Sequence, residues 1–209
     1  MDPTSLLSDL RHAGAGDSLT IWERTYVVVR VGQSSAPDGF ETREFTMGRN
    51  EDFYLVAEGD LASDDLARCR FVMTHELNPS EVRCPSDLGA GPVATVALAR
   101  SSQPPAEVVY QGKRYRFAKR TDAHYTSPAR QCSRVTWDFE RPGRNLAIEL
   151  WPGGEMAVYE GPIVPPDRIV VRTGHRAPAG QPAETYLPAE LGVGLGIIST
   201  LIGAYLLFS

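Results

Sequence analysis

The chain has 209 residues, with 21 Lys+Arg against 26 Asp+Glu and a formal net charge of -5. Its arginines are scattered without a basic run, which speaks against a nucleic-acid partner. Three cysteines, Cys69, Cys84 and Cys132, form no CxxC pair and are odd in number, which speaks against a disulfide framework or a thiolate zinc site and fits a reducing compartment.

Residues 1–14 contain "PTSLLSDLRHAG", with Leu6, Leu7 and Leu10 on one side, Asp2 or Thr4 placed to cap and Gly14 placed to stop. This predicts a short amphipathic helix. No basic segment leads into an apolar run here, so the body is expected to stay in the cytoplasm.

From residue 15 the period changes. "LTIWERTYVVVRV", "REFTM", "FYLVAEG", "CRFVMTHEL", "EVVYQGKRYRFAKR", "SRVTWDFER", "NLAIELW" and "EMAVYEG" are short, rich in β-branched and aromatic residues, and separated by Gly, Pro, Asp or Asn. The expected class is mainly β and antiparallel. In "RVTWDFERPGRNLAIELWPGGEMAVYEG", Val135, Trp137 and Phe139 alternate with polar partners, "RPGRN" turns, and Leu146, Ile148 and Leu150 alternate again. "PGG" turns before Met156 and Val158, which predicts a three-stranded meander.

The β region also repeats. "SLTIWERTYVVVRV" resembles "EVVYQGKRYRFAKR" about 89 positions later, "DFYLVAEGD" resembles "NLAIELWPGGE", and "HELNPSEVRC" resembles "YEGPIVPPDRIVV". We therefore expect two similar β-rich units, sandwich or small barrels, at 15–88 and 107–171. Residues 89–106, where Gly and Pro collect, are the expected linker.

Residues 172–190 are rich in Pro, Ala and Gly and read as an extended spacer. Residues 191–208 carry no charge. As a helix they reach roughly 27 Å, close to the ~30 Å hydrocarbon core of a bilayer. A single transmembrane helix is expected. Arg168, Arg172 and Arg176 lie on its amino-terminal side and no Lys or Arg follows, so a tail-anchored protein in the inner membrane, its body in the cytoplasm, is the predicted topology. Gly192, Gly196, Ser199 and Gly203 fall at i, i+4, i+7 and i+11, within an arc of roughly 60°. This small face predicts helix packing against another membrane protein or a second copy.

Catalytic machinery is hard to find. The histidines His12, His75, His124 and His175 make no HxH or HExxH pattern, so neither a metal nor a cofactor is expected. Cys132 with His124, or Cys69 with His75, are the available thiol–imidazole pairs, but each cysteine stands in an apolar strand, where a small buried residue is the simpler explanation. Trp22, Trp137 and Trp151 are expected to build core.

"YQGKRYR", "VTWDFE", "NLAIELWPGGE" and "VPPDRI" carry a resemblance, strongest over 107–171, to a bacterial β-rich domain family of unknown function. Its members are often encoded beside polyamine aminopropyltransferases, small integral membrane proteins and coiled-coil membrane-stress proteins. The family has no assigned active-site motif, so the resemblance implies no catalytic residue; its gene neighbours imply an envelope-linked assembly. The sequence thus favours a membrane-tethered interaction or scaffold module. The alternative is a membrane-surface enzyme with a pocket around His124 or His75.

Overall fold

The computed structural model describes residues 3–48, 52–63, 65–84 and 103–174. Helix α1 (Pro3–His12) leads into eleven strands among these residues: β1 (Ser18–Ile21), β2 (Arg24–Ser35), β3 (Glu41–Met47), β4 (Phe53–Gly59), β5 (Cys69–Leu77), β6 (Glu107–Tyr110), β7 (Lys113–Ser127), β8 (Arg130–Arg141), β9 (Arg144–Leu150), β10 (Met156–Pro162) and β11 (Ile169–Arg172). The protein is mainly antiparallel β with one short amino-terminal helix. The expected meander is β8–β9–β10.

Strands β2–β3–β4–β5 form one half and β7–β8–β9–β10 the other, each a run of antiparallel neighbours. The halves join twice, β5 to β10 and β2 to β7. Eight strands therefore close on themselves, leaving no unpaired edge within the ring.

The two halves follow one plan. β2 bulges between Val28 and Arg30, and β7 bulges 89 positions later between Phe117 and Lys119. Each bulge re-aims the strand. Before it, Val28 and Phe117 pack into cores outside the ring; after it, Lys119 reaches the Glu58 carboxylate. Each half also carries a flap. β1 hydrogen-bonds to β2 and, on its other side, to β11, the exit strand of the second half. β6 pairs with β7 and is bridged by Arg83, from the exit of the first half.

Apolar side chains lie on the outer wall of the ring. In the first half Phe45, Met47, Leu55, Ala57 and Phe71 share one core with Leu6, Leu7 and Leu10 of α1. Arg43 Nη2 donates to the Ala13 carbonyl at 2.8 Å and Arg11 Nη1 to the Ala62 carbonyl at 3.0 Å, fastening the helix at its carboxyl end. In the second half Trp137, Phe139, Leu146 and Ile148 pack under Val108, Tyr110, Tyr115 and Cys84. Trp137 is core as expected, at 1% exposed, whereas Trp22 is exposed and Trp151 half-buried.

Among the described residues no helix is long and apolar enough to cross a membrane. The expected linker up to residue 102, His175, the spacer beyond Gly174, and the span with Gly192, Gly196, Ser199 and Gly203 lie outside the described residues.

Candidate functional site

Because outward residues of the barrel strands are apolar, the alternate residues point inward, and many carry charge. Glu44, Glu58, Arg134, Asp138, Asn145 and Glu149 line the interior, with Thr42, Thr74, Thr136, Tyr54 and Tyr159 between them. The cavity between them is about 50 Å³, room for a few water molecules and far below the several hundred Å³ of a typical ligand pocket.

Two charge groups occupy this interior. In one, Arg134, 4% exposed, places Nη1 at 2.5 Å from Glu44 Oε1 and 2.8 Å from Glu149 Oε1. Its Nη2 donates to Ser34 Oγ at 2.7 Å. The Nη1 contacts are charge contacts rather than well-angled hydrogen bonds. The guanidinium also stands over the Tyr125 ring at 4.8 Å. One positive charge thus serves two carboxyl groups from different halves of the chain. Burial pushes the Glu149 carboxyl up to about 8 against the pull of Arg134, with Glu44 and Asp138 adding to the rise.

In the second group Lys119 Nζ lies 3.0 Å from Glu58 Oε2 and 4.0 Å from Asp138 Oδ2. Arg70 bridges Glu58 and Glu140, and Asn145 Nδ2 donates to Asp138 Oδ1 at 3.0 Å. Burial, then the Glu58 charge, push Asp138 up to about 6 against Lys119. Such a network can hold water and a proton. It ties the two halves together more evidently than it offers a place for a substrate.

The histidines come to rest elsewhere. His124 stands at the β2–β7 junction on an open depression of about 520 Å³ with Asp122 and Ser133. Asp122 is held bidentately by Arg120 at 2.8 Å, and the ring Nε2 of His124 faces Gln131 at 3.2 Å. No His–Asp relay forms from these contacts. His75 is in β5, opposite Glu160 of β10; burial lowers its pKa despite the Glu160 charge. Glu160 is itself committed, accepting from Tyr115 Oη at 2.6 Å and from Arg144 Nη2 at 2.6 Å.

Cys69 and Cys84 are disfavoured as thiolates. Burial first, then Asp60 and Asp65, push the Cys69 thiol up, and burial pushes Cys84 up. Among the described residues no group of three His, Cys, Asp or Glu could hold a metal ion.

A third concavity, about 330 Å³, lies on the outer wall of the second half, floored by Val135, Trp137 and Leu150, with Trp151 and Pro152 at its end and Arg120 and Ser133 beside them. Strand registers equate Val135 with Arg43, Trp137 with Phe45 and Leu150 with Ala57. In the first half Arg43 donates to the Ala13 carbonyl at the end of α1, and Phe45 and Ala57 share a core with the α1 leucines. In the second half this wall is a groove whose end is closed by Trp151, the ring standing under Arg130 at 4.4 Å, edge-on to Tyr125 at 5.0 Å and 5.3 Å from the interior Arg134 guanidinium.

Sequence reasoning missed the interior charges and this groove. The signal for the first was present in "REFTM", "YLVAEG", "VTWDFE" and "NLAIEL", where a charged residue interrupts each apolar strand; alternation alone assigns such residues to solvent.

A family model described as Domain of unknown function (DUF4178) matches residues 14–166. No curated protein and no solved structure matches the chain.

Proposed function

We propose, from the premise that this chain belongs to the DUF4178 family, that it is a tail-anchored interaction module. In this reading the barrel body recruits a partner protein to the cytoplasmic face of a bacterial inner membrane. The single observation that supports the reading is the groove over Val135 and Leu150, whose register counterparts in the first half are Arg43, bonded to the Ala13 carbonyl at the end of α1, and Ala57, in one core with the α1 leucines. A wall that shares a core with Leu6, Leu7 and Leu10 in one half defines the chemistry its equivalent accepts: a short amphipathic helix, offered by the partner. The uncharged residues 191–208 supply the anchor and 172–190 the spacer. The gene neighbours implied by the resemblance agree with a membrane assembly by association only.

The test is site-directed photo-crosslinking of the full-length protein in cells. A photoreactive residue at Val135 should give a discrete adduct that fractionates with membranes and disappears on Leu150→Glu. The same probe at exposed Lys113 should not give it. Equal adducts from both positions, or none from Val135, would overturn the reading.

A further inference from the structure

The exposed large apolar side chains among the described residues are Trp22 at 37%, Val27 at 38% and Val29 at 41%. All three fall within eight positions of the β1–β2 hairpin. Pairing places Ser18 between Val27 and Arg172, and Thr20 between Thr25 and Val170. These rungs lie opposite the core face of Leu19, Ile21 and Ile169, and Thr25, Val27 and Arg172 are exposed on them, while Ser18 is buried between its neighbours.

The fold does not demand this apolar surface. At the equivalent places the second half carries Gln111 for Trp22, Arg116 for Val27 and Ala118 for Val29. The tip is also held in an uncommon conformation, with φ of 46° at Trp22 and 73° at Glu23, where the counterpart turn uses Gln111 and Gly112.

The chain leaves the body from this flap. β11 ends at Arg172, on the same face as Val27, and Gly174 N donates to Asp17 Oδ1 at 2.8 Å. Residues 175–190 separate that point from the uncharged stretch 191–208. These sixteen residues reach at most roughly 53–58 Å at full extension. Tethering at that range raises the effective concentration of surface and face to the millimolar scale, so a small contact area suffices. Exposed Arg172 lies on the Val27 face and exposed Arg168 stands at the tip, its carbonyl accepting from Trp22 N at 3.1 Å; both suit anionic headgroups, with Glu23 and Asp167 as the opposing charges.

We infer that the β1–β2 flap rests on the membrane surface, with Trp22, Val27 and Val29 entering the headgroup boundary and the arginines meeting anionic lipid. This deepens the tail-anchored reading and rests on it. It leaves the groove of the second half for the protein partner.

The experiment uses full-length protein in vesicles of phosphatidylcholine with a minority of phosphatidylglycerol, their acyl chains brominated near the headgroup. Flotation after an alkaline wash reads the anchor; tryptophan quenching reads the flap. Wild type should float and be quenched. Trp22→Phe should lose most of the quenching, since Trp137 is buried and Trp151 belongs to the other half. A V27R/V29A variant, built from residues that the second half already uses, should fold and lose quenching too. Floating protein whose quenching is absent, or unchanged in both variants, overturns the flap inference with the anchor intact. Protein that fails to float yet shows Trp22-dependent quenching keeps the flap and removes the anchor; neither signal removes both.

Discussion

Ser35 pairs with His124 across the β2–β7 junction, and the two are the same place in the two halves, 89 positions apart. The other junction repeats the relationship, since His75 pairs with Glu160, its counterpart by register through β4 and β9. A pseudo-twofold axis passes through both junctions. The residues on it differ in kind, so the architecture is symmetric while the chemistry is not.

Arg134 joins the halves by contacting Glu44 and Glu149. Arg134→Met should destabilise the protein by about 3–5 kcal/mol, because it leaves buried carboxyl groups without their cation. Urea denaturation measures this. Adding Glu149→Gln should recover part of the loss, and additive losses would show that the contact carries no coupling.

The stabilising contribution of Glu149 and Asp138 should fall as pH rises, opposed below about pH 6.5 by His75, whose lowered pKa works the other way. Glu149 is held at about 8 and Asp138 at about 6, both above ordinary carboxyl values, so between those ordinary values and the raised ones the folded state binds more protons than the unfolded. That contribution is then fully present at acid pH and declines through this window, by up to about 1.4 kcal/mol per pH unit for each group. Melting temperatures of wild type and Glu149→Gln from pH 5 to 8.5 are the check. The variant should show the flatter profile; parallel profiles would mean that Glu149 ionises as freely in the fold as outside it.

A Cβ at Gly161 would lie 1.8 Å from the Met73 carbonyl oxygen, at the close approach of β10 to β5. Gly161→Ala should cost at least 1–3 kcal/mol by overpacking. Gly154→Ala meets open space and bears only the strain of φ 84°, about 1 kcal/mol. Comparing their denaturation midpoints tests whether that barrel junction tolerates movement.

Replacing Trp22 and Glu23 by Asn and Gly suits the positive φ at both positions. The double variant should be more stable by about 1–2 kcal/mol, while losing membrane-surface contact. Thermal unfolding in detergent measures the first effect. An unchanged or lower melting temperature would show that the tip carries no strain.

In the proposed span, Gly196→Leu should insert but lose helix association, whereas Gly194→Leu, on the opposite face, should retain it. Membrane two-hybrid signals for wild type and both variants decide this. Equal signals in all three would leave the glycines as ordinary membrane-helix composition.

Much of the fold was legible locally. The leucines of α1, the meander from Val135 to Val158 and the repeat spacing near 89 rest on periodicity and turn residues, and these act within a few positions of themselves. The groove was not legible, because it exists only by contrast with a helix elsewhere in the chain. Nor was the exposure of Trp22 legible. An aromatic beside a strand reads as core unless the turn's handedness is known.

By itself the sequence determined the antiparallel β class, the position of α1 and which residues alternate along each strand, since backbone sterics and side-chain period are local properties. Only the tertiary structure decided which side of each strand is the inside. Alternation separates two faces without saying which is wet. Closure of β2 on β7 and β5 on β10 put Glu44, Arg134 and Glu149 in the interior and sent Phe45, Trp137 and Ile148 outward, to be buried in the cores shared with α1 and the β6 flap. That assignment comes from contacts about ninety residues apart, which no local pattern encodes.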